Sequence, residues 1–436
     1  MKPSVGTASC SATLHRRVQG KRDIVTEAQA PPRITCRSCG GSDLQLVLAL
    51  GNMPLANSLL SADQLNQPEP RFPLGLVFCP ACALVQITVT VPPEQLFSNY
   101  LYLSSYSDTM LAHVRELTER LSRERALSAD SLVIEIASND GYLLKNYVKS
   151  GIPVLGIEPA QNVAKVAVEH GVTTLTEFFG LQLGSRLAAE GHRADVVHAH
   201  NVLAHVADLN GVVSGINAVL KEDGLAVIEV PYVRDLIERT EFDTIYHEHL
   251  CYFSLSALDH LFTGHGLCIV DVERVAIHGG SLRIFVSRAG SPSIAVTELL
   301  ADERRLGLTS IGYYSDFADR VRRLRTKLRA TLSELRSTGC SLAAYGASAK
   351  GSTLLNYVGI GTETLDFVAD RSTVKQGLFT PGTHLPIVAP EKLLDAKPAY
   401  ALLLVWNFAD EILKQQAAYR MLGGRFIIPV PDVQIV

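Results

Sequence analysis

The stretch Ser131–Leu144, SLVIEIASNDGYLL, begins as an apolar strand, passes through a turn of small and polar residues, and continues into a helix. Beyond it, apolar runs alternate with helical segments that end at Gly151 and Gly171. Strands separated by helices of about 10 to 15 residues are typical of a parallel, doubly wound sheet. The sequence therefore predicts a Rossmann-like α/β core around this stretch, over residues 101–296.

A second α/β pattern occupies the C-terminal part of the chain. Residues 341–359, SLAAYGASAKGSTLLNYVG, contain a strand, a glycine-rich loop and a helix, and strand-like runs follow them. We predict a second Rossmann-like domain over residues 339–436. The residues between the two domains, 297–338, are rich in Arg, Glu and Leu and predict a helical linker.

The first 100 residues differ in composition from the rest of the chain. Residues 1–32 are rich in Ser, Thr, Lys and Arg and lack an apolar core, so we expect a disordered extension and no secretory signal. Residues 33–100 are rich in Pro, Gly and short apolar stretches. They predict a small β-rich module.

Two C-x-x-C pairs in this module predict a metal site. Cys36 and Cys39 are separated from Cys79 and Cys82 by residues 40–78. Four thiolates suit tetrahedral zinc, and we expect a structural site because no coordination position is left open. The interval exceeds the roughly 15 to 20 residues of a compact ribbon, so a β insertion is expected between the pairs. The alternative is a set of buried free thiols.

Charge and hydropathy give no support for two broad classes of partner, although a local basic groove remains an alternative. The chain has 40 basic and 44 acidic residues, and this balance gives no support for a nucleic-acid binder. No apolar run approaches the roughly 18 to 20 residues that span a bilayer. We therefore expect a cytoplasmic protein without a membrane anchor, and a monomer.

The turn in the first α/β domain predicts a cofactor site. The candidate residues follow one strand or end the next: Glu135, Ala137, Asn139, Asp140, Gly141 and Glu158. Small residues let the backbone approach a ligand, and the carboxylate of Glu158 could accept hydrogen bonds from ribose hydroxyls. A strict G-x-G-x-x-G is absent, which favours an adenosyl ligand such as S-adenosylmethionine over a nicotinamide dinucleotide. A plain strand–turn–helix remains the third possibility.

The glycine-rich loop of the second domain predicts a phosphate site. Backbone N–H groups at a helix start attract anions, and Lys350 adds a positive charge. The candidates are Tyr345, Ser348, Lys350 and Ser352, with Asp370 and Lys375 as further possible contacts to a nucleotide. The alternative is a tight strand-to-helix turn without a ligand.

The sequence Tyr246-His247-Glu248-His249 brings three kinds of titratable group together. Histidine suits proton abstraction near neutral pH. The motif alone does not decide which histidine faces a ligand, and a metal-ligand cluster or a loop that holds domains together are alternatives. His198 and His200 are predicted to be hydrogen-bonded structural residues at the end of a strand.

Taken together, these segments resemble the three-domain sugar C-methyltransferases of antibiotic deoxysugar pathways. The resemblance runs from about Cys36 to the C-terminus, and it depends on the four cysteines and the stretches VIEIASNDGYLL, YHEHLCYFSLSAL, IHGGSLRIFV and AYGASAKGSTLLNY. It implies a zinc-binding N-terminal module, a class I methyltransferase core and a C-terminal Rossmann-like domain. One departure is Ala137, where the family more often has Gly, and we expect the extra methyl group to be a small change.

The resemblance also implies a reaction and its residues. Family members methylate the carbon next to a keto group on a nucleotide-linked sugar, here a dTDP- or other NDP-linked 4-keto sugar, with S-adenosylmethionine as cofactor. Such a reaction needs a base, stabilisation of an enolate oxygen and a close in-line approach. The residues that resemble the family's active site are His249 as base, with Tyr246, Glu248 and His205, and we add Tyr102 from the segment that enters the core.

Other functions remain open at the level of sequence. An O- or N-methyltransferase would differ only in the acceptor. An NAD-dependent sugar oxidoreductase or epimerase is disfavoured because both G-x-G-x-x-G and a Y-x-x-x-K pair are missing, since Leu250 lies four positions after Tyr246. A catalytically inactive binding module is disfavoured by the intact Tyr246–His249 motif.

Overall fold

The first sheet of the protein contains the cysteine pairs. The structure is a computed structural model that describes residues 34–97, 104–106, 108–277 and 279–436. The first elements are β1 (Gln45–Pro54), β2 (Arg71–Phe78), β3 (Val85–Ile87) and α1 (Pro93–Phe97). The three strands are antiparallel neighbours in chain order. β1 and β2 lie between the two cysteine pairs, as the length of the interval predicts.

The second sheet is built around the stretch that begins at Ser131. Its region contains the strands β4 (Val133–Ile136), β5 (Val154–Ile157), β6 (Thr174–Leu175), β7 (Ala194–His200), β8 (Leu220–Pro231), β9 (Cys251–Tyr252), β10 (Cys268–Val275) and β11 (Ser281–Ser287). Its helices are α2 (Asp108–Glu124), α3 (Leu144–Lys149), α4 (Gln161–Glu169), α5 (Leu181–Ala189), α6 (Leu209–Val219), α7 (Val233–Glu238) and α8 (Leu255–Thr263). The sheet order is β10-β11-β8-β7-β4-β5-β6, with β10 and β11 antiparallel to their neighbours.

Alternating side chains of the central strands bury both faces of this sheet. Ile134 and its neighbours face α5 and α6, while Val133 and its neighbours face α2 and α3. Gly156 on β5 must be glycine, because a Cβ there would lie 2.6 Å from the Ser138 hydroxyl. The result is the doubly wound class I methyltransferase arrangement, which confirms the predicted fold class.

The C-terminal region begins with two helices, in the stretch for which the sequence predicts a helical linker. They are α9 (Ile294–Leu306) and α10 (Phe317–Ser337). Gly307 ends α9 in the left-handed conformation, with φ of 88°. The linker prediction was helical but missed this break.

A third sheet completes the chain. Its strands are β12 (Leu342–Tyr345), β13 (Val368–Ala369), β14 (Ile387–Val388), β15 (Tyr400–Leu403), β16 (Arg425–Ile428) and β17 (Gln434–Ile435), and its helices are α11 (Ala349–Val358), α12 (Lys392–Ala396), α13 (Ala409–Gln415) and α14 (Ala417–Met421). The order is β14-β13-β12-β15-β16-β17, and only β17 is antiparallel. This is the second Rossmann-like domain that the sequence predicts.

The cysteine-containing sheet is joined to both larger domains. Its fourth strand is β9, which pairs with β3 although it lies in the central region of the chain. Leu60 pairs with Phe379 of the C-terminal domain through two backbone hydrogen bonds. In the part of the chain that the structure describes, no helix is long and apolar enough to cross a membrane.

Candidate active site and metal centre

The four cysteines of the two pairs converge on one point. The Sγ atoms of Cys36, Cys39, Cys79 and Cys82 all lie within 4.8 Å of one another. Thiolates that bind zinc tetrahedrally at about 2.3 Å are roughly 3.8 Å apart, so the donor set and its spacing fit zinc. Cys36, Cys79 and Cys82 are buried, and a hydrogen bond from Cys82 lowers the pKa of Cys36 below its ordinary value.

Hydrogen bonds outside this cluster fix the first cysteine pair to its surroundings. The backbone N–H of Arg37 donates to Gln86 Oε1 of β3 at 2.8 Å. The Asn210 amide, in the first turn of α6, donates to the carbonyl oxygens of Arg37 and Ser38 at 3.0 and 3.1 Å. The metal centre therefore joins the N-terminal sheet to the central domain.

The predicted cofactor residues come together at the carboxyl end of β4. Ala137, Asn139 and Gly141 adopt positive φ values of 53°, 49° and 76°, which curl the loop tightly between β4 and α3. The Glu158 carboxylate, at the end of β5, accepts the backbone N–H groups of Asn139 and Ala160 at 3.0 and 2.8 Å. Each carboxylate oxygen keeps a further lone pair, so ribose hydroxyls can still donate to it.

Carboxyl groups around this loop are strongly desolvated. Burial, followed by the nearby carboxylates of Asp140 and Glu158, raises the pKa of Glu135 well above its ordinary value. Burial also raises the pKa of Glu158. A cationic ligand placed here would relieve both effects.

A short turn before α2 covers the loop. The backbone N–H of Ser104 donates to Asn139 Oδ1 at 2.9 Å, and that of Ser105 to Asp140 Oδ2 at 3.3 Å. Tyr102, the predicted contact from this segment, lies outside the described residues. Its role stays a prediction.

Three of the predicted catalytic side chains form one cluster. The Tyr246 hydroxyl lies 2.9 Å from His249 Nε2, and their ring centroids are 4.1 Å apart. His249 Nδ1 lies 2.9 Å from the Thr244 carbonyl oxygen, which requires the proton on Nδ1 and leaves a lone pair on Nε2. The His205 ring stands edge-on to His249 with a centroid distance of 4.7 Å.

Burial keeps His205 neutral. It lowers the pKa of His205 to about 4, and a hydrogen bond to the backbone of Glu248 acts in the opposite direction. His247, in contrast, turns away from the cluster towards the N-terminal sheet. Its Nε2 lies 3.3 Å from the Pro73 carbonyl oxygen, and its ring packs on Phe72. The structure thus separates the two histidines that the sequence left undecided.

Glu248 faces a residue that the sequence analysis did not single out. Both oxygens of its carboxylate accept hydrogen bonds from the Asn57 amide, at 2.7 and 2.9 Å. Burial raises the pKa of Glu248 to about 7, and the bonds from Asn57 oppose this shift. A single asparagine distant in sequence carries no local signal for such a contact.

The glycine-rich loop of the C-terminal domain lies against residues 241–243 of the central domain. Lys350 Nζ is buried, has no hydrogen-bond partner among the residues described, and lies 5.0 Å from the Trp406 ring centroid. The carboxylates of Asp243 and Glu241 are its charged neighbours. Asp243 also accepts the Trp406 indole N–H at 2.7 Å.

Burial raises the pKa of both acidic neighbours, to about 7 for Glu241 and about 6 for Asp243. The positive charge of Lys350 opposes both shifts. Glu241, Asp243 and Trp406 were missed by the sequence analysis. The only feature of the sequence that pointed to these residues was the position of Asp243, which lies shortly before Tyr246 along the chain.

The other residues of this loop have distinct positions. Ser348 caps α11 and accepts the Gly351 N–H at 3.1 Å, and Ser352 is buried in its first turn. Tyr345 is not brought to Lys350 by any contact of the described residues. Its ring packs edge-on to Phe426, and its hydroxyl accepts a hydrogen bond from Gln416.

The side chains of Asp370 and Lys375 form hydrogen bonds to the backbone of the loop. Asp370 accepts the backbone N–H groups of Ala347 and Ser372 at 2.6 and 2.7 Å. Lys375 donates to the carbonyl oxygen of Ala347 at 2.8 Å. The loop is therefore fixed from its back by two charged side chains.

The histidines at the end of β7 are hydrogen-bonded, as predicted. His198 lies 2.9 Å from the Tyr147 hydroxyl on one side and 2.9 Å from His200 on the other. His200 contacts the buried Glu229 at 3.1 Å. Burial lowers the pKa of His198 well below its ordinary value, so this histidine is neutral within the chain of hydrogen bonds.

Comparison with known proteins gives matches along most of the chain. Three family models match: "Putative zinc binding domain" at residues 36–97, a methyltransferase domain at 107–272 and a C-methyltransferase C-terminal domain at 276–431. The C-methyltransferase NovU of Streptomyces niveus is 37% identical over 404 residues, which cover 92% of this chain and 96% of that protein.

Two further matches cover only the central part. The ubiquinone biosynthesis O-methyltransferase of Bartonella bacilliformis is 28% identical over 131 residues, or 29% of this chain and 53% of that protein. The PH0226 protein of Pyrococcus horikoshii superposes with a TM-score of 0.35 at 15% identity, over 45% of this chain and 97% of that one.

Proposed function

The chain belongs to the C-methyltransferase family, and from this we propose that it transfers a methyl group from S-adenosylmethionine to the carbon next to the ketone of a nucleotide-linked sugar. The observation that carries the proposal is the Tyr246–His249–His205 cluster, which offers a base and two hydrogen-bonding groups. It lies at the carboxyl edge of the central sheet, where His205 follows β7 and the cofactor loop follows the adjacent β4. Ligands of open α/β sheets bind at this edge.

The cluster suits the removal of a proton next to a ketone. His249 holds its Nδ1 proton on the Thr244 carbonyl, so Nε2 is the basic atom. The hydroxyl of Tyr246, which is hydrogen-bonded to Nε2 in the resting site, is the group that would donate to the enolate oxygen once Nε2 has taken the proton. The neutral ring of His205 has a single N–H, which it donates to the Glu248 backbone, so it would hold the cluster in place. Because His205 is neutral, it exerts no electrostatic repulsion on a protonated His249. Its low pKa also makes it too weak a base to compete with His249 for the substrate proton at pH 7.

The loop Ala137–Gly141, with Glu135 and Glu158, would hold S-adenosylmethionine. When bound, this cofactor supplies an electrophilic methyl group on a positively charged sulfur. The raised pKa of Glu135 and Glu158 supports a cation nearby, because a positive charge would favour their ionised forms. The four cysteines would hold a zinc ion that stabilises the N-terminal sheet.

The nucleotide-sugar would lie between residues 241–249 and the loop that contains Ser348, Lys350 and Ser352. Lys350 carries a buried positive charge there, and Glu241, Asp243 and Asn407 each have a buried oxygen without a hydrogen-bond partner among the described residues. Such oxygens suit sugar hydroxyl groups, and the lysine suits a phosphate or keto oxygen. Tyr345 keeps only a supporting place, on the other face of the C-terminal sheet.

Isotope exchange tests the proposal directly. The zinc-loaded protein, with S-adenosylhomocysteine bound, is incubated in deuterated water with a panel of nucleotide-linked 4-keto sugars. We expect exchange at one carbon next to the ketone, and a fall of about 10² to 10⁴-fold in His249→Ala, which should still bind the cofactor. His247→Ala is the matched control and should retain exchange. Absence of exchange with every sugar, or a methyl group found on oxygen or nitrogen, would contradict the proposal.

A further inference from the structure

Asn57 is placed in the active site by the zinc-binding region, far from the other site residues in sequence. It lies in the turn after β1, where the Ser58 N–H donates to the Leu55 carbonyl oxygen at 3.1 Å. Three residues later, Leu60 pairs with Phe379 of the C-terminal domain. The turn is therefore held at both ends, by β1 and by this pairing.

The contact between Asn57 and Glu248 is specific in geometry. One amide nitrogen donates to both carboxylate oxygens, which fixes the direction and the plane of the carboxylate. Glu248 is only 3% exposed. Asn57 is the one group among the described residues that hydrogen-bonds to this carboxylate.

The position of Glu248 is tied to the proposed catalytic cluster. Its backbone accepts a hydrogen bond from His205, and the next residue but one, Leu250, donates to Ala204 at 2.6 Å. Tyr246 and His249 flank Glu248 along the chain. A change in the orientation of Glu248 would therefore be transmitted to the histidines and the tyrosine.

We infer that Asn57 is a positioning residue for methyl transfer, supplied by the zinc-binding region to orient the Glu248 carboxylate beside His205, Tyr246 and His249. The inference rests on the proposed function. It gives the insertion between the cysteine pairs a role in the reaction, in addition to its place in the fold.

The ionisation of Glu248 provides a readout that a merely structural residue would not change. The titratable groups around it are Tyr246, His247, His249 and His205, and no charged neighbour contributes to the shift of its pKa to about 7. Burial raises this pKa and Asn57 lowers it. Loss of Asn57 should therefore raise the pKa further, so that Glu248 is protonated over a wider range of pH.

The test compares Asn57→Ala with Asn66→Ala, an exposed asparagine of the same region. We expect Asn57→Ala to lower kcat by about 10- to 100-fold at pH 7, as for the loss of a hydrogen bond to a charged group. The reduction in kcat should become smaller at higher pH, because Glu248 ionises there even without Asn57. Zinc content and cofactor binding should stay unchanged. Asn66→Ala should match the wild type. Equal rates and pH profiles for the two variants would overturn the inference.

A titration without substrate separates this inference from the proposed function. Difference infrared spectroscopy, with Glu248→Gln as the reference, follows the protonated carboxyl of Glu248. Its midpoint should move to higher pH in Asn57→Ala, even if no keto-sugar tested is a substrate; an unchanged midpoint would refute the inference. If the alanine variant loses zinc or folds poorly, Asn57→Asp replaces it, because that side chain has the same shape and should raise the midpoint further.

Discussion

Ala137 occupies a backbone conformation that favours glycine. Its φ of 53° lies in the left-handed region, which costs an L-residue with a Cβ roughly 1 to 2 kcal/mol. The sequence analysis expected the extra methyl group to be a small change for binding, and the structure adds a cost in stability that the residue type alone did not reveal. The loop after β4 is therefore strained at the position where the family resemblance leads us to expect glycine.

We predict that Ala137→Gly stabilises the protein. Relief of the strain should exceed the added entropy of glycine in the unfolded chain, for a net gain of about 0.5 to 1 kcal/mol. Urea or thermal unfolding would measure it. Ala160→Gly is the matched control: Ala160 has φ of –78° and is buried, so that variant should be less stable than the wild type. A lower midpoint for Ala137→Gly would contradict the prediction.

Single residues could be predicted from sequence where their chemistry repeats at a fixed spacing. Cys36 and Cys39 predicted the metal centre in this way, whereas Tyr246 and His249 were predicted from the family resemblance. Asn57 and Asp243 could not be found, because each acts through a contact formed only by the folded chain. The sequence also could not show which of His247 and His249 faces the proposed catalytic cluster, because this depends on a turn at residues 246–249 that the motif does not specify.

The loop between β12 and α11 is the element whose geometry depends most on charged residues behind it. Asp370, at the end of β13, accepts two backbone N–H groups, and one of them belongs to Ala347 in this loop. Such charge-assisted bonds contribute roughly 1.5 to 3 kcal/mol each. Their loss should therefore loosen the proposed nucleotide-sugar site more than the chemistry at His249.

We predict that Asp370→Ala raises KM for the nucleotide-sugar by about 10-fold and changes kcat little. The reason is that the loop would have to be ordered by the substrate. Steady-state kinetics would measure this, with Asp366→Ala as the control at the exposed start of the same strand region. A fall in kcat without a change in KM would place Asp370 in the chemistry instead.

Long, regular elements followed from the sequence, and short elements did not. In α2, Met110, Val114, Leu117 and Leu121 recur at helical spacing, and all four lie on its buried face. β9 has only two residues, and its pairing with β3 depends on tertiary contacts rather than on a local pattern. The break between α9 and α10 did have a local signal in Gly307, but the run of helix-forming residues on both sides concealed it.

At the scale of the whole molecule, the metal centre and the proposed active site are connected through one pair of strands. β3 begins shortly after Cys82 and pairs with β9, which begins shortly after His249. Asn57 adds a second link from the same region. The metal centre therefore supports the sheet that fixes one side of the proposed chemistry.

We predict that Cys36→Ser releases zinc and exposes both strands of this link. Amide hydrogen exchange should accelerate at residues 85–87 and 250–252, and turnover should fall, because the ladder between β3 and β9 depends on a folded N-terminal sheet. Mass spectrometry would measure the exchange and the zinc content together. Cys340→Ser, outside the cluster, should keep one zinc ion per chain; a zinc-loaded Cys36→Ser variant would contradict the four-thiolate site.

The junction of the central and C-terminal domains should make stability depend on pH. The pKa of Glu241 is raised by burial from 4.5 to about 7, so between these two pH values the folded protein holds a proton that the unfolded chain has released. Stability from this group is therefore present at low pH and is lost as the pH rises towards 7. The loss is on the order of 2 kcal/mol, and Glu241→Gln should not show it.

Thermal unfolding at pH 5 and pH 8 would measure the difference, with the exposed Glu222→Gln expected to follow the wild type. Because Lys350 opposes the shift, Lys350→Met should steepen the loss, and a Glu241→Gln variant with the same pH dependence as the wild type would show that this carboxyl is not desolvated at the junction.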